Sequence, residues 1–198
     1  MPVPGIFEPT IFSPPMTTQS AKFIQPMHPK TEIKASREIF RKLLDSGWVG
    51  QHKIHGHRGQ FHISADPDEP IVVFTRHGTL HKRDVSPGMA RELRRLFQPD
   101  SGWNAIDAEW VKPTGKVFVF DLIKRNGDVL YSRNFKERYE MLPRVYQSEI
   151  VSTLPLFYTV EKCMEAYESS AEDIEGLVFK ATQTPGFSDT SIIRCRKR

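Results

Sequence analysis

The chain has 198 residues, a hydrophobic share of 38% and a formal net charge of +4, with a pI of about 9.1. This length and its 13 phenylalanines exclude an intrinsically disordered chain and allow a buried core. Only two cysteines occur and no apolar run could cross a bilayer, which favours a protein of a reducing compartment such as the cytoplasm of a bacterial or phage-infected cell. The basic charge suits a polyanionic partner.

The first half of the chain predicts an arm, two helices and three strands. Residues 1–21 are rich in proline, threonine and serine, which predicts an extended arm or a poorly ordered tail. Apolar spacing predicts an amphipathic helix over 35–46 and another over 87–97, which begins at a proline. Between them, shorter apolar segments predict strands over 48–54, 59–64 and 70–75.

The second half predicts an antiparallel pair of strands, then helices, then a final pair of strands. The pair spans 105–111 and 117–123 and is joined by a tight connection that contains Pro113 and Gly115. Helices are predicted over about 134–147 and 161–169, followed by strands over about 175–181 and 190–196. Strands dominate the centre and helices are scattered, which predicts an α+β fold with mostly antiparallel sheets.

The segment Lys53-Ile54-His55-Gly56-His57-Arg58 could carry chemistry. A lysine acts as a nucleophile only without its proton, and nearby cations disfavour the protonated form. Acidic and basic residues that could hold a metal ion and a phosphate occur far downstream, in Glu175–Lys180 and in a basic C-terminal strand. Taken alone, such a lysine is most simply a solvated surface residue, so its interpretation depends on the whole ordered set of motifs.

That ordered set resembles the nucleotidyltransferase (adenylation) domain of ATP-dependent DNA ligases, in the superfamily that also includes RNA ligases and capping enzymes. The resemblance runs from about Phe23 to the C-terminus and implies one such domain over 22–198, with an ATP-grasp-like fold. The segments that carry it are Phe23–Met27, Trp48–Arg58, Phe74–Gly78, Ile106–Glu109, Phe118–Leu122, Asn126–Leu130, Glu175–Lys180 and Ser191–Lys197.

The resemblance implies that Lys53 takes up AMP from ATP and passes it to a 5′-phosphate at a nick, which a 3′-hydroxyl then seals. Glu109 and Glu175 would hold Mg²⁺ or Mn²⁺, and Phe120 would stack on the adenine, with Phe118 as the alternate. A cluster of Lys180, Arg194 and Arg196 would balance phosphate charge and disfavour the protonated form of Lys53. The implied nucleotide-binding residues are Gln51, Ile54, Arg58, Arg76, Glu109, Phe120, Lys180, Arg194 and Arg196.

The implied partner is nicked duplex DNA, with RNA as the alternative. A monomer without membrane contact is expected. Because the motifs end near residue 197, we expect no oligonucleotide-binding (OB) barrel within these residues, and a separate OB-fold domain or chain could supply it.

Each site residue also has a structural interpretation. Phe120 lies in a continuous apolar run and could be a core residue, whereas Glu109 and Arg76 could be solvated residues of strand faces or edges. The basic residues from Arg194 to Arg198 could be only a charged terminus. Their places in the ordered motifs favour function in each case, least strongly for Arg76.

Several residues depart from the DNA-ligase pattern. His55 stands where those enzymes usually carry aspartate, and lysine-x-histidine-glycine resembles one group of RNA ligases. Gln51 stands in place of a glutamate that senses the adenine amino group, although its carbonyl could accept the same hydrogen bond. Arg194 and Arg196 replace a pair of lysines. An RNA ligase, a capping-type guanylyltransferase and a catalytically weak nick-binding remnant therefore stay as alternatives.

Four histidines, His52, His55, His57 and His62, crowd one short region. Strand alternation would put His55 and His57 on the face of Lys53 and the other two on the opposite face. No tetrahedral ligand set for zinc emerges from this spacing. We expect His55 to line the nucleotide pocket instead.

Overall fold

A computed structural model describes residues 21–145 and 148–197, so the predicted arm lies, apart from residue 21, outside the described residues. The helices are α1 (Arg37–Asp45), α2 (Pro87–Phe97), α3 (Phe135–Glu140) and α4 (Val160–Glu168). The strands are β1 (Thr31–Glu32), β2 (Trp48–Ile54), β3 (His57–Ser64), β4 (Val72–Thr75), β5 (Trp103–Trp110), β6 (Val117–Arg125), β7 (Asp128–Val129), β8 (Val151–Thr153), β9 (Ile174–Ala181) and β10 (Ile192–Arg196).

The strands form two sheets. Sheet A has the order β1-β10-β9-β2, and sheet B has the order β4-β3-β5-β6-β7, with β8 also paired to β6. All pairings are antiparallel except those of β1 with β10 and of β8 with β6. The prediction of an α+β fold with mostly antiparallel sheets is therefore confirmed, as is the antiparallel pairing of β5 with β6.

Each sheet packs against its own helices. Phe40 of α1 and Cys163 of α4 pack on Leu177 and Phe179 of β9, which gives sheet A its core. Leu93 of α2 belongs to the larger core of sheet B. A serine caps the N-terminus of each of the first two helices. The side chain of Ser36 accepts a hydrogen bond from the backbone N–H of Ile39 in α1, and that of Ser86 accepts one from the backbone N–H of Met89 in α2.

The predicted elements agree with the structure except at α3 and at three short strands. The helix predicted over 134–147 ends at Glu140, because Pro143 follows closely and cannot continue it; residues 146 and 147 lie outside the described residues. The two- or three-residue strands β1, β7 and β8 are too short to show alternation in sequence. Among the described residues, no helix has the length and apolar character needed to span a membrane.

Candidate active site

The site begins where the chain passes from one sheet to the other. Strand β2 ends at Ile54 in sheet A, and β3 begins at His57 in sheet B. A glycine is required in between, because a Cβ on Gly56 would lie 2.9 Å from the carbonyl oxygen of Trp110. Lys53 and Arg58 therefore lie on either side of a sharp junction and reach the same space from two sheets.

This space is a cavity of about 780 Å³ between sheet A and sheet B. Of the residues that the sequence assigns to catalysis, nucleotide binding or metal binding, all except Arg196 line it. Those that line it are Gln51, Lys53, Ile54, Arg58, Arg76, Glu109, Phe120, Glu175, Lys180 and Arg194. The cavity thus brings together residues from six strands and from the loop after β4, which are up to 143 positions apart in sequence (194 − 51 = 143).

Lys53 forms an ion pair with Glu175 inside this cavity. The ammonium group of Lys53 donates to Oε2 of Glu175, while Oε1 lies 2.6 Å from Nδ1 of His55. Partial burial favours the protonated acid, but the hydrogen bonds from Lys53 and His55 outweigh it and lower the pKa of Glu175. Gly176, the register partner of Lys53, lets β10 lie close to β9: it has φ +140°, and a Cβ there would collide with the carbonyl oxygen of Cys195.

Lys180 lies at the floor of the cavity and is almost completely buried. Its Nζ donates to Oε1 of Gln51 at 2.9 Å and to the carbonyl oxygen of Phe120 at 3.1 Å. Burial lowers the pKa of Lys180 to about 8, although Asp121 and Asp107 oppose the shift. Gln51 in turn donates to the carbonyl oxygen of Leu154, which fixes its amide with the oxygen toward Lys180.

Two cations lie close to the ring of Phe120 on the cavity wall. Nζ of Lys180 is 4.7 Å from the ring centroid, and the guanidinium carbon of Arg58 is 5.5 Å from it. Phe118 lies on the same face of β6 but does not line the cavity, and Lys116 covers its ring instead. Phe120 is therefore the better placed of the two predicted stacking residues.

Arg58 is held in a fixed orientation by four acceptors. It binds both carboxylate oxygens of Asp107, with Nε 2.9 Å from Oδ1, and donates to the carbonyl oxygen of Met27 at 2.7 Å. A longer contact of 3.4 Å joins it to Nδ1 of His28. Burial would lower the pKa of Arg58, but the charge of Asp107 raises it, so the guanidinium stays charged at the edge of the cavity.

Glu109 and Glu175 are the acids available to a divalent metal ion. Burial raises the pKa of Glu109 to about 7, against the opposing charges of Lys53 and Arg58. A divalent cation beside Glu109 would favour its charged form, so this residue fits a metal ligand. Among the described residues no group of three or more histidine, cysteine or acidic side chains is arranged around a common point, so this pair would bind only an ion that keeps much of its water, as magnesium does.

The two C-terminal arginines of the predicted phosphate cluster both bind Glu32 of β1. Nε of Arg194 lies 2.9 Å from Glu32, and Nη2 of Arg196 lies 2.7 Å from it. Alternation along β10 points both side chains to one face, but only Arg194 borders the cavity. Arg196 lies outside it, although it is the β10 residue in register with Gly176, the partner of Lys53. Lys53 contacts Glu175 rather than either arginine.

Arg76 and the four histidines of residues 52–62 differ in whether they border the cavity. Arg76 is exposed at the cavity rim, where its Nε donates to His77. The expectation that His55 lines the pocket is wrong: His55 is exposed, because β2 ends at Ile54 and strand alternation no longer applies beyond it. His52 and His57 do border the cavity, whereas His62 is buried and bonded to Gln60.

The most informative residue missed by the sequence analysis as a site residue is Asp107, which orients Arg58. Its place two residues before Glu109, on the same face of β5, was the available signal. His28, Thr79 and His81 also line the cavity, but they come from loops that carry no periodic pattern, and Thr75 lines it from the last position of β4. Leu154 contributes a backbone carbonyl, which no side-chain pattern can reveal.

Comparison with protein families and with curated protein sequences gave no match. Solved structures do match. A mycobacterial DNA ligase D complexed with ATP and MES aligns with a TM-score of 0.52 and 15% identity, over 86% of this chain and 60% of that one. The ligase domain of M. tuberculosis LigD aligns with a TM-score of 0.55 and 14% identity, over the same shares. The chain has the fold of a DNA-ligase nucleotidyltransferase domain.

A Lig E DNA ligase, from a study of DNA binding with a minimal scaffold, aligns with a TM-score of 0.54 and 12% identity over 88% of this chain and 70% of that one. The resemblance found in the motifs is therefore confirmed at the level of the fold. The chain spans about 60% of the length of the two ligase D structures.

Proposed function

We propose that this chain is the nucleotidyltransferase domain of an ATP-dependent DNA ligase and that Lys53 carries AMP between ATP and a nick. The observation that carries the proposal is the ion pair of Lys53 with Glu175 in a cavity that also holds Lys180, in a fold shared with ligase catalytic domains. A surface lysine without a function would not be expected to lie in one cavity with Glu175 and Lys180, which come from a distant part of the chain.

In the first step Nζ of Lys53, after losing a proton, attacks the α-phosphorus of ATP. A phosphorus–nitrogen bond forms, the bond to the bridging oxygen breaks, and pyrophosphate leaves with its electron pair. In the second step a 5′-phosphate oxygen at the nick displaces Lys53 and takes AMP. In the third step the 3′-hydroxyl attacks that phosphate, forms the phosphodiester bond and releases AMP.

The remaining residues position the nucleotide. Phe120 offers a ring face to the adenine, and Gln51 presents an oxygen whose second lone pair could accept the adenine amino group. Lys180, Arg58 and Arg194 supply positive charge toward the phosphates from three different strands. Ile54 forms an apolar wall, and Arg76 reaches in from the rim.

Magnesium or manganese, held by Glu109 and Glu175, would neutralise phosphate charge so that an electron-rich amine can approach. Glu175 would hold the ion through the carboxylate whose two oxygens contact Lys53 and His55 in this structure.

The test is intact-mass spectrometry of the purified protein after incubation with ATP and Mg²⁺. We expect a gain of one AMP, mapped to Lys53 and reversed by pyrophosphate. Lys53→Ala should abolish the adduct without loss of fold, whereas Lys42→Ala, at a surface ion pair of α1, should keep it. A preference for GTP would indicate a capping-type enzyme, and an adduct on another residue would refute the assignment of Lys53.

An RNA ligase is the second candidate, favoured by the contact of His55 with Glu175. Sealing of nicked duplex DNA should be compared with sealing of RNA ends by the same adenylated protein. Sealing of RNA alone would overturn the preference for DNA.

A nick-binding remnant is the third candidate, because Glu32 neutralises the two arginines that replace the usual lysines. Such a protein would bind nicked DNA in a salt-dependent manner but form no adduct. If adduct forms only slowly, addition of a separate OB-fold domain should accelerate it.

A further inference from the structure

A group of positively charged and titratable side chains lies beside the mouth of the cavity. We call His57, His81, Arg83 and Lys112 the basic rim. The rings of His57 and His81 are 6.3 Å apart, and His81 lies 5.0 Å from the ring of Trp110. Arg83 covers the same tryptophan at 4.9 Å and donates to the carbonyl oxygen of Lys112. Both histidines line the cavity, so the rim is continuous with it.

The two permanently charged residues of the basic rim are not neutralised by an acidic side chain in the described part of the chain. Other surface cations in the described part of the chain are often neutralised, as in Lys42 with Glu38 and Lys162 with Glu165. Neither Arg83 nor Lys112 forms such a pair within residues 21–145 and 148–197. Asp84 follows Arg83 in sequence but is not ion-paired with it there. The rim is therefore a concentration of positive charge without a counter-charge from the protein itself.

The histidines of the rim are surrounded by cations. The groups that act on His57 are Lys112, His81, His55 and Arg83, and those that act on His81 are Arg83 and Lys112. Burial, followed by these charges, lowers the pKa of His57, and burial lowers that of His81 against a backbone hydrogen bond that involves Arg83. Both imidazoles are consequently mostly neutral near neutral pH. A polyanion bound to the rim would raise the pKa of both histidines and favour their protonated forms.

We propose that the basic rim binds the sugar–phosphate backbone of duplex DNA next to the cavity and takes up protons on His57 and His81 as it does so. This inference rests on the proposed function, since it assigns a surface to the DNA that the ligase would seal. Duplex DNA is the occupant that fits, because phosphates repeat along it closely enough to meet several cations at once and because the rim adjoins the cavity that holds Lys53. DNA contact through the rim would then strengthen as pH falls.

The charge part of the proposal is tested with Arg83→Gln/Lys112→Gln. Fluorescence anisotropy with a labelled nicked duplex should show about tenfold weaker binding at fixed low salt, and the slope of log K against log salt should fall by about 2. The matched control is Lys42→Gln/Lys162→Gln, which removes two neutralised cations from the opposite sheet's helices and should leave binding unchanged. Equal effects of the two double variants, or no effect of either, would overturn the rim as the DNA surface.

The proton-linked part is tested with His57→Gln/His81→Gln. The native chain should bind the duplex about three- to tenfold more tightly at about pH 6 than at about pH 8, and the double variant should lose most of this difference. The remaining histidines stay in place, so they serve as the internal control. An unchanged pH dependence in the variant would refute proton uptake at these two residues. Tighter binding of an RNA duplex than of DNA would refute the choice of occupant.

Failure of this inference can be separated from failure of the proposed function. Formation of the AMP adduct needs no DNA, and Arg83 and Lys112 do not line the cavity. The Arg83→Gln/Lys112→Gln variant should therefore form the adduct at the native rate. An adduct with unchanged DNA binding overturns only the rim, whereas absence of the adduct in the native chain overturns the ligase proposal. Loss of the adduct in the rim variant alone would show that the rim acts on the nucleotide and would also overturn the inference.

Discussion

Two buried arginine–aspartate pairs use the same chemistry in two different settings. Arg58 binds Asp107 and Arg138 binds Asp121, in each case through both carboxylate oxygens. The two aspartates face each other across β5 and β6, where they are register partners. The two pairs thus share one sheet and differ in what surrounds the arginine.

The guanidinium of Arg138 is completely enclosed. Beyond Asp121 it donates to the carbonyl oxygens of Arg133 and Gly186, at 2.9 and 3.0 Å, and it lies 4.6 Å from the ring of Phe187. Arg58 has a different environment, because one face borders the cavity and its side chain is 14% exposed. A buried ion pair by itself therefore does not identify a functional residue, whereas an arginine that also borders a cavity, as Arg58 does, is a candidate.

The largest expected effect is that of Arg138→Leu. It leaves the carboxylate of Asp121 buried without its cationic partner, and breaking such a pair costs about 3–5 kcal/mol of unfolding free energy. Urea denaturation should show this loss. The matched control is Arg133→Leu, which removes a half-exposed arginine from a surface ion pair and should cost less than about 1 kcal/mol.

The double variant Arg138→Leu/Asp121→Leu makes this test sharper. Because an apolar pair can replace a buried ion pair without large cost, most of the stability should return. Formation of the AMP adduct should return with it, since Arg138 does not border the cavity. A stable double variant that forms no adduct would show that the enclosed pair also has a functional role.

The second effect is that of Arg58→Leu. We expect a loss of about 3 kcal/mol of unfolding free energy, less than the upper limit for buried pairs because water can reach Asp107 through the cavity. Adduct formation should fall by about 100-fold, the effect of removing a fixed charge that stabilises a transition state. Here the double variant Arg58→Leu/Asp107→Leu should recover stability but not activity, and recovery of both would place Arg58 in the same class as Arg138.

The third and smallest effect concerns Lys180. The charges of both arginine–aspartate pairs contribute to its pKa. Its pKa is about 8 in the folded chain and 10.5 ordinarily. Between these two values the unfolded chain holds a proton that the folded chain releases, so stability rises with pH in this window, and below pH 8 the cost of burying the charge is fully present.

The difference in unfolding free energy between the native chain and Lys180→Met should accordingly rise by roughly 2–3 kcal/mol from about pH 8 to about pH 10.5. Urea denaturation of both proteins at several pH values measures it. Lys34→Met, at an exposed lysine, should show no such trend. A flat difference for Lys180→Met would mean that Lys180 is not held with a lowered pKa beside the two pairs.

Much of the fold could be predicted from local signals. The periods of α2 and β2 predicted their bounds as the structure has them, and Ser86 and Pro87 marked where α2 begins. The helix after Asn134 was predicted too long, because its apolar spacing continues past Glu140 although Pro143 prevents a regular continuation. Pairing partners such as β1 with β10 are far apart in sequence and leave no periodic signal.

The candidate site was predicted to a similar extent. The sequence alone determined the α+β class, the order of the strands along the chain and a set of polar residues that recur in a ligase-like order. It did so because periodicity and motif order are properties of neighbouring residues. It also identified Phe120 and Lys180, which both line the cavity.

Only the tertiary structure decided which side chains meet. It joined Lys53 to Glu175, assigned Asp107 to Arg58, engaged both Arg194 and Arg196 with Glu32, and left His55 exposed outside the cavity. The physical reason is that ion pairs and burial depend on distances between residues far apart in the chain. Those distances follow from the register of two sheets and from the close approaches that Gly56 and Gly176 permit.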